Sequence, residues 1–179
     1  TNYATATNVL SAKLPATAGG ATAGLLVVAQ PPLNVAPVST YIPLPPKRVL
    51  DSRDGQAPAG FTTPWGPGTV RNVQILGYGG TPLQPSSITS GVLNVTATNP
   101  TTATHITIWP TGATMPTTSN LNVVAGQTVA NLATVRPGGG GAISIFNNSG
   151  NVHVIADVVG SYTPNDIKGS SFKPMTPTR

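Results

Sequence analysis

The chain has no cysteine and no glutamate, and only 7% of its 179 residues are charged. Soluble domains usually carry roughly 25%. Without cysteine, neither a disulfide framework nor a thiolate metal site can form. The acids are Asp51, Asp54, Asp157 and Asp166, and the histidines are His105 and His153. Long apolar runs are also missing. The longest, Ala23–Ala29, falls far short of the ~20 residues a membrane-spanning helix needs. The chain opens at Thr1 with no basic-then-apolar leader, which reads as a start removed by processing or left out of the numbering.

What the chain does contain is threonine, asparagine, 20 glycines and 19 prolines, a usage that suits strands and turns and disfavours helices. Apolar residues make up 39%, enough to bury a real core. The net charge of +5 comes from a shortage of acids. Apart from Lys47–Arg53 the cations are scattered, whereas a nucleic-acid protein gathers them on one face. No nucleic acid, membrane or cofactor is therefore expected as a partner. A mild attraction to anionic surfaces is all the charge implies.

From Gly91 to Tyr162 the pattern is short strand after short strand: Gly91–Thr98, His105–Trp109, Asn120–Val124, Thr128–Val135, Ala142–Asn147 and Asn151–Val159. Each is rich in Val, Ile, Thr or Leu and bounded by Gly, Pro, Asn or Ser. Leu93, Val95 and Ala97 alternate with Asn94, Thr96 and Thr98, and Ile106 and Ile108 with His105, Thr107 and Trp109. That alternation suits antiparallel sheets with one wet face. Val152–Val159 is apolar on both faces and reads as a central strand. Arg48–Ser52 and Thr69–Tyr78 complete the strands, and Gly138–Gly141 reads as a hairpin turn. The fold expected is all-β, a single antiparallel β-sandwich over residues 41–162, with an extended apolar arm (residues 1–40) ahead of it and a short tail (163–179) behind.

The arm is broken by Pro15, Pro31, Pro32 and Pro37, and Gly24–Gln30 fits one strand. Disordered leaders are usually more charged and less apolar than this. Leu25, Leu26, Val27 and Val28 need cover, from their own domain or from a neighbouring subunit; an arm docked on a partner is the favoured reading, which makes them candidate subunit-docking residues, together with Phe172 in the tail. Phe172–Arg179 repeats the aromatic, two prolines and arginine of Tyr41–Arg48 at the same spacing, 131 residues on. The chain thus ends where a second copy of the domain would begin. Cleavage after Arg179, a longer product cut short and a docking remnant all fit.

Chemistry is harder to find. A Ser-His-Asp hydrolase needs a positioned base, but His153 and Asp157, four apart on one strand, are ~13 Å apart at ~3.3 Å per residue. Two histidines and four aspartates give no clustered metal set. Asp51 and Asp157 would have to meet in the fold for a glycosidase pair. The glycine run lacks the Lys-Ser/Thr of a phosphate loop. No enzyme is expected. Arg48, Asp51, Arg53 and Asp54 read as an ion-pair clamp on the first strand of the body. Trp109, Trp65 and Tyr78, at strand ends or in loops, are candidate rings for stacking on a glycan or a protein partner.

RVLDSRDG (Arg48–Gly55), VLNVTATNPT (Val92–Thr101), ITIWPTG (Ile106–Gly112), SNLNVVAGQTVANLATV (Ser119–Val135) and HVIADVVGSY (His153–Tyr162) together resemble an all-β accessory module. It occurs in secreted and cell-wall-associated proteins of actinobacteria and in virion proteins of their phages. The resemblance covers about Tyr41–Tyr162 and leaves the arm out. It implies a place outside the cell, attachment to something larger, repetition and no catalytic role. The first expectation is a structural protein at a phage virion surface, a capsid decoration or a tail or fibre component. It would dock through its arm on other virion proteins and on sister subunits in a closed homo-oligomer, a trimer among the choices. The alternative is a secreted cell-wall or carbohydrate-binding module meeting a cell-surface glycan.

Overall fold

Thirteen residues, Ser39–Asp51, form the first strand, β1, although three of them are prolines. Two of the three survive there because the ladder skips them, and Pro43 stands at the last paired position before the gap. β1 pairs with β8 (His153–Pro164) from Ser39 to Pro43 and again from Lys47, so Pro45 and Pro46 fall in a bulge where no N–H is asked of them. The expectation of a strand beginning only at Arg48 is corrected accordingly. The computed structural model describes residues 39–77 and 88–164, with the backbone of residues 170–171. The candidate docking residues Leu25, Leu26, Val27, Val28 and Phe172, and the ring of Tyr78, lie outside the described residues.

The remaining strands are β2 (Thr69–Gln74), β3 (Ser90–Thr98), β4 (Thr104–Pro110), β5 (Leu121–Val123), β6 (Val129–Val135), β7 (Ala142–Asn147) and a two-residue β9 (Ser170–Ser171). No α-helix occurs among the described residues. Two antiparallel sheets form the sandwich. One runs β6-β3-β8-β1, with β9 added at the start of β1, and the other runs β2-β7-β4-β5. β8 has β3 on one side and β1 on the other, the central place its two apolar faces imply. Leu93, Val95 and Ala97 of β3 and Val154, Ala156 and Val158 of β8 are fully buried, facing Ile106, Ile143 and Ile145 across the sandwich.

The outer face of β4 is not wet. Thr107 and Trp109 are buried, because residues 111–120 return across them. Thr107 Oγ1 donates to the Thr118 carbonyl at 3.1 Å and Trp109 Nε1 to the Ala113 carbonyl at 3.0 Å. Asn120 then fastens the return: its Oδ1 accepts the Ile108 amide at 2.7 Å and its carbonyl accepts Asn131 Nδ2 at 2.8 Å.

Gly138–Gly141 is not a hairpin turn. β6 belongs to one sheet and β7 to the other, so the glycines carry the chain between sheets. Gly139–Gly141 form one short 3-10 turn, and Gly140 and Gly141 have φ of 67° and 85°, accessible to glycine at little cost. Gly138 lies against the backbone of Thr111, where a Cβ would overlap the Thr111 carbonyl oxygen and amide. Backbone cannot swing aside as a side-chain tip can. Gly138→Ala is therefore expected to destabilise by ~1–3 kcal/mol. Gly139→Ala, whose nearest neighbour would be 3.7 Å away, should cost far less. Thermal melts of the two variants side by side check this.

Candidate functional site

The densest polar chemistry sits on the outer face of the first sheet. A second bulge in β1, at Val49, puts Arg48 opposite Asp157 and Asp51 opposite Ile155. Without that extra residue Arg48 and Asp51 would face opposite sides of the strand. With it, Val49 and Leu50 are both buried and Arg48, Asp51 and Asp157 share one face. Arg48 donates from Nε to Asp157 Oδ1 at 2.9 Å and from Nη1 to Asp51 Oδ2 at 3.0 Å. Arg53 closes on Asp51 from the turn beyond, with Nε 2.9 Å from Oδ1 and Nη2 2.7 Å from Oδ2. Hydrogen bonds from the Arg53 side chain, above all, and from its amide, helped by the charges of Arg53 and Arg48, outweigh burial and hold the Asp51 carboxyl at about 2. The hydrogen bond to Asp157, more than the charge of Asp51, raises Arg48 further, and the bonds to Asp51 raise Arg53.

Of the four residues of the expected clamp, the structure joins Arg48, Asp51 and Arg53, and adds Asp157. Asp54 stands apart from these ion pairs. Its Oδ1 accepts the Gln56 amide at 3.0 Å and shapes the turn. A shallow, open depression of about 250 Å³ lies here, lined by Arg48, Asp51, Asp54, Gln56, Ala57 and Pro58. Its ion pairs are internally balanced, and the oxygens of Asp51 already accept four donors, so this carboxylate has no lone pair left for base chemistry.

Ser52 and His153 form a pair that the sequence reading missed. Ser52 Oγ lies 3.1 Å from His153 Nδ1. The geometry is not that of a nucleophile. Ser52 is fully buried, its Oγ accepts the Val154 amide at 2.9 Å, and the same ring nitrogen is 3.0 Å from the Ser52 carbonyl. A substrate cannot reach that oxygen, and the pair extends the β1–β8 ladder through side chains.

The two tryptophans proposed as contact rings are corrected. Trp65 is fully buried and Trp109 is 7% exposed. Trp65 is drawn in by a two-way backbone pairing with Val152, and its Nε1 donates to the Ile145 carbonyl at 3.0 Å. Phe61 meets it edge-on at 5.3 Å. Arg71 covers both rings, with its Cζ 4.5 Å from the Trp65 centroid, and donates to the carbonyls of Thr63 and Pro64. Burial lowers the pKa of this arginine. Neither indole face is open to a sugar, and nothing in local sequence marks a loop tryptophan that folds inward.

Below Trp65 lies Asn147, also fully buried. The two hydrogens of its Nδ2 are shared among the carbonyls of Trp65, Gly66 and Gly150, and its Oδ1 accepts Thr104 Oγ1 at 2.7 Å. The residue fastens two loops and a strand at one end of the sandwich. Among the described residues no group of three or more His, Asp or Glu is placed to hold a metal ion. No protein-family model matches the chain, and no curated protein matches it either.

Proposed function

We propose that this chain is a non-catalytic structural protein of a phage particle, a capsid decoration or a tail or fibre component, held to its neighbours by the segment ahead of Ser39. The observation that carries this reading is a contrast within one chain. The described body builds its core from its own strands, with Leu50, Leu93, Ile106 and Ile143 fully buried. The segment ahead of it, with Leu25, Leu26, Val27 and Val28, is too apolar for a solvated leader. Docking on a shell protein or a sister subunit gives such a segment its cover, and a strand added to another sheet is the natural mode. The polar groups of the body support a structural role as well: Asp51, Ser52, Asn147 and Arg71 all spend their hydrogen bonds on the fold itself.

A secreted cell-wall or glycan-binding module stands second, because two of the three rings it would use are buried. One experiment addresses the first reading. A chain lacking residues 1–38, cut just before β1, is expected to keep its β-sheet circular dichroism yet fail to co-sediment with particles that retain the full chain. Equal retention of the two chains would overturn arm docking.

A further inference from the structure

The sandwich has four long edges, and they are not equally guarded. β1 carries Pro43, Pro45, Pro46 and Lys47, β2 carries Arg71, and β5 is only three residues long. Prolines, charges and shortness are the usual means by which an edge refuses further strands. β6 has none of them. Its seven residues, VANLATV, include no proline, glycine or charge, and its register with β3 runs without a bulge. Ala130, Asn131, Leu132 and Thr134 are exposed, Leu132 by 59%. No Asp, Glu, Lys or Arg occurs from Asn72 to Val135, so β3, β4, β5 and β6 bring no charge to this side.

The backbone groups that no described strand takes up can be assigned. The Leu132 amide donates to Asn131 Oδ1 at 2.9 Å and therefore points away from β3. Alternation turns the amides and carbonyls of Ala130 and Thr134 the same way. Those three residues are arranged symmetrically about Leu132, with a small side chain on either side and a valine at each end of the strand.

We propose that the outer edge of β6 pairs antiparallel with β6 of a second copy, about a two-fold axis through Leu132. Leu132 then meets its own counterpart, and Ala130 meets Thr134 of the other copy. Three hydrogen-bonded pairs give about six backbone hydrogen bonds. The two Leu132 side chains cover each other, while Ala130 and Thr134 leave them room. The local bond from the Leu132 amide to Asn131 Oδ1 is exchanged for the carbonyl of the second Leu132. An uncharged, self-complementary strand fits this isologous contact, in which one patch must suit itself. The pairing uses β6 alone and does not rest on the segment ahead of Ser39.

The absence of native cysteine makes the test clean. In the full-length chain, Leu132→Cys supplies the sole thiol, and the pairing sets the two copies ~5.5 Å apart at Cα. A short bis-maleimide should join them into a dimer band on a denaturing gel. Val70→Cys, on the β2 edge and 47% exposed in the wild type, should give none. In sedimentation the wild-type chain should reach dimer mass. Leu132→Lys, which faces two ammonium groups across the axis, should return it to monomer mass with unchanged circular dichroism. Ala130→Pro, which removes an amide turned away from β3, should do the same. A wild-type monomer at every concentration, equal crosslinking through Val70→Cys, or a dimer that survives both Leu132→Lys and Ala130→Pro would overturn the proposal.

Discussion

Asn147→Asp is expected to cost ~3–5 kcal/mol of stability, more than any other single change of one heavy atom considered for this fold. The native amide stands where three carbonyls converge, those of Trp65, Gly66 and Gly150, with no solvent exposure. A carboxylate of the same shape offers those carbonyls only lone pairs, in a place where water cannot screen them. The hydroxyl of Thr104 keeps an acceptor, so the damage lies on the donor side alone. Asn147→Leu removes the donor without adding charge and should cost less, ~2–4 kcal/mol. Urea unfolding followed by tryptophan fluorescence measures both, since Trp65 sits directly above the site. An Asn147→Asp variant within 1 kcal/mol of wild type, by the ~1 kcal/mol scale of an ordinary hydrogen bond, would mean that the three carbonyls find other partners. Thr104→Val tests the same knot from its other end, and because Thr104 Oγ1 also accepts the Ser149 amide at 2.9 Å, the two substitutions should combine non-additively.

The contrast between Leu93 and Trp65 shows how much of this molecule was legible in its sequence. Leu93 sits in a run whose apolar positions recur every second residue, and that period survives any tertiary context with one buried face. The strands from β3 to β8 were readable for that reason, and the antiparallel sandwich followed from them. Trp65 sits among glycines and prolines with no period at all. Its burial depends on a two-way bond to Val152, some ninety residues away, and on Arg71 closing over it. The hairpin expected at Gly138–Gly141 failed for a related reason. Local turn chemistry says that the chain bends, whereas whether the next strand joins the same sheet is decided by which sheet has room. The polar cluster was half legible. Arg48, Asp51 and Arg53 stood together in the sequence, but Asp157 enters only through the β1–β8 register, and Asp51 joins its face only because Val49 bulges.

Asp51→Asn is the second large effect, and its signature is a change in acid sensitivity. In the native fold the Asp51 side chain is 2% exposed and its carboxyl is lowered from 3.8 to about 2. A carboxyl lowered on folding contributes stability that is fully present above its unfolded value and disappears as the pH falls through the folded one. That lowering corresponds to ~2 kcal/mol, lost between about pH 4 and pH 2. At neutral pH, Asp51→Asn should therefore cost ~2–3 kcal/mol, the upper part of that range coming from two guanidiniums left without a shared carboxylate. Arg48 and Arg53 are each nearly half exposed, so water can take up the freed donors, which keeps the cost from rising further. The decisive comparison is of urea midpoints at pH 7, 4 and 2.5. Wild type should lose stability steeply across the last interval, while Asp51→Asn starts lower and falls less. At pH 7, Asp54→Asn should cost far less than Asp51→Asn, because Asp54 is exposed and its carboxylate accepts the single Gln56 amide. If Asp51→Asn kept the wild-type slope, the acid sensitivity would have to come from elsewhere, and the cluster would be no more than a solvated patch. If the slope flattens, a chain so poor in charge has gathered four of its charged side chains where the bulged β1 must hold its register with β8.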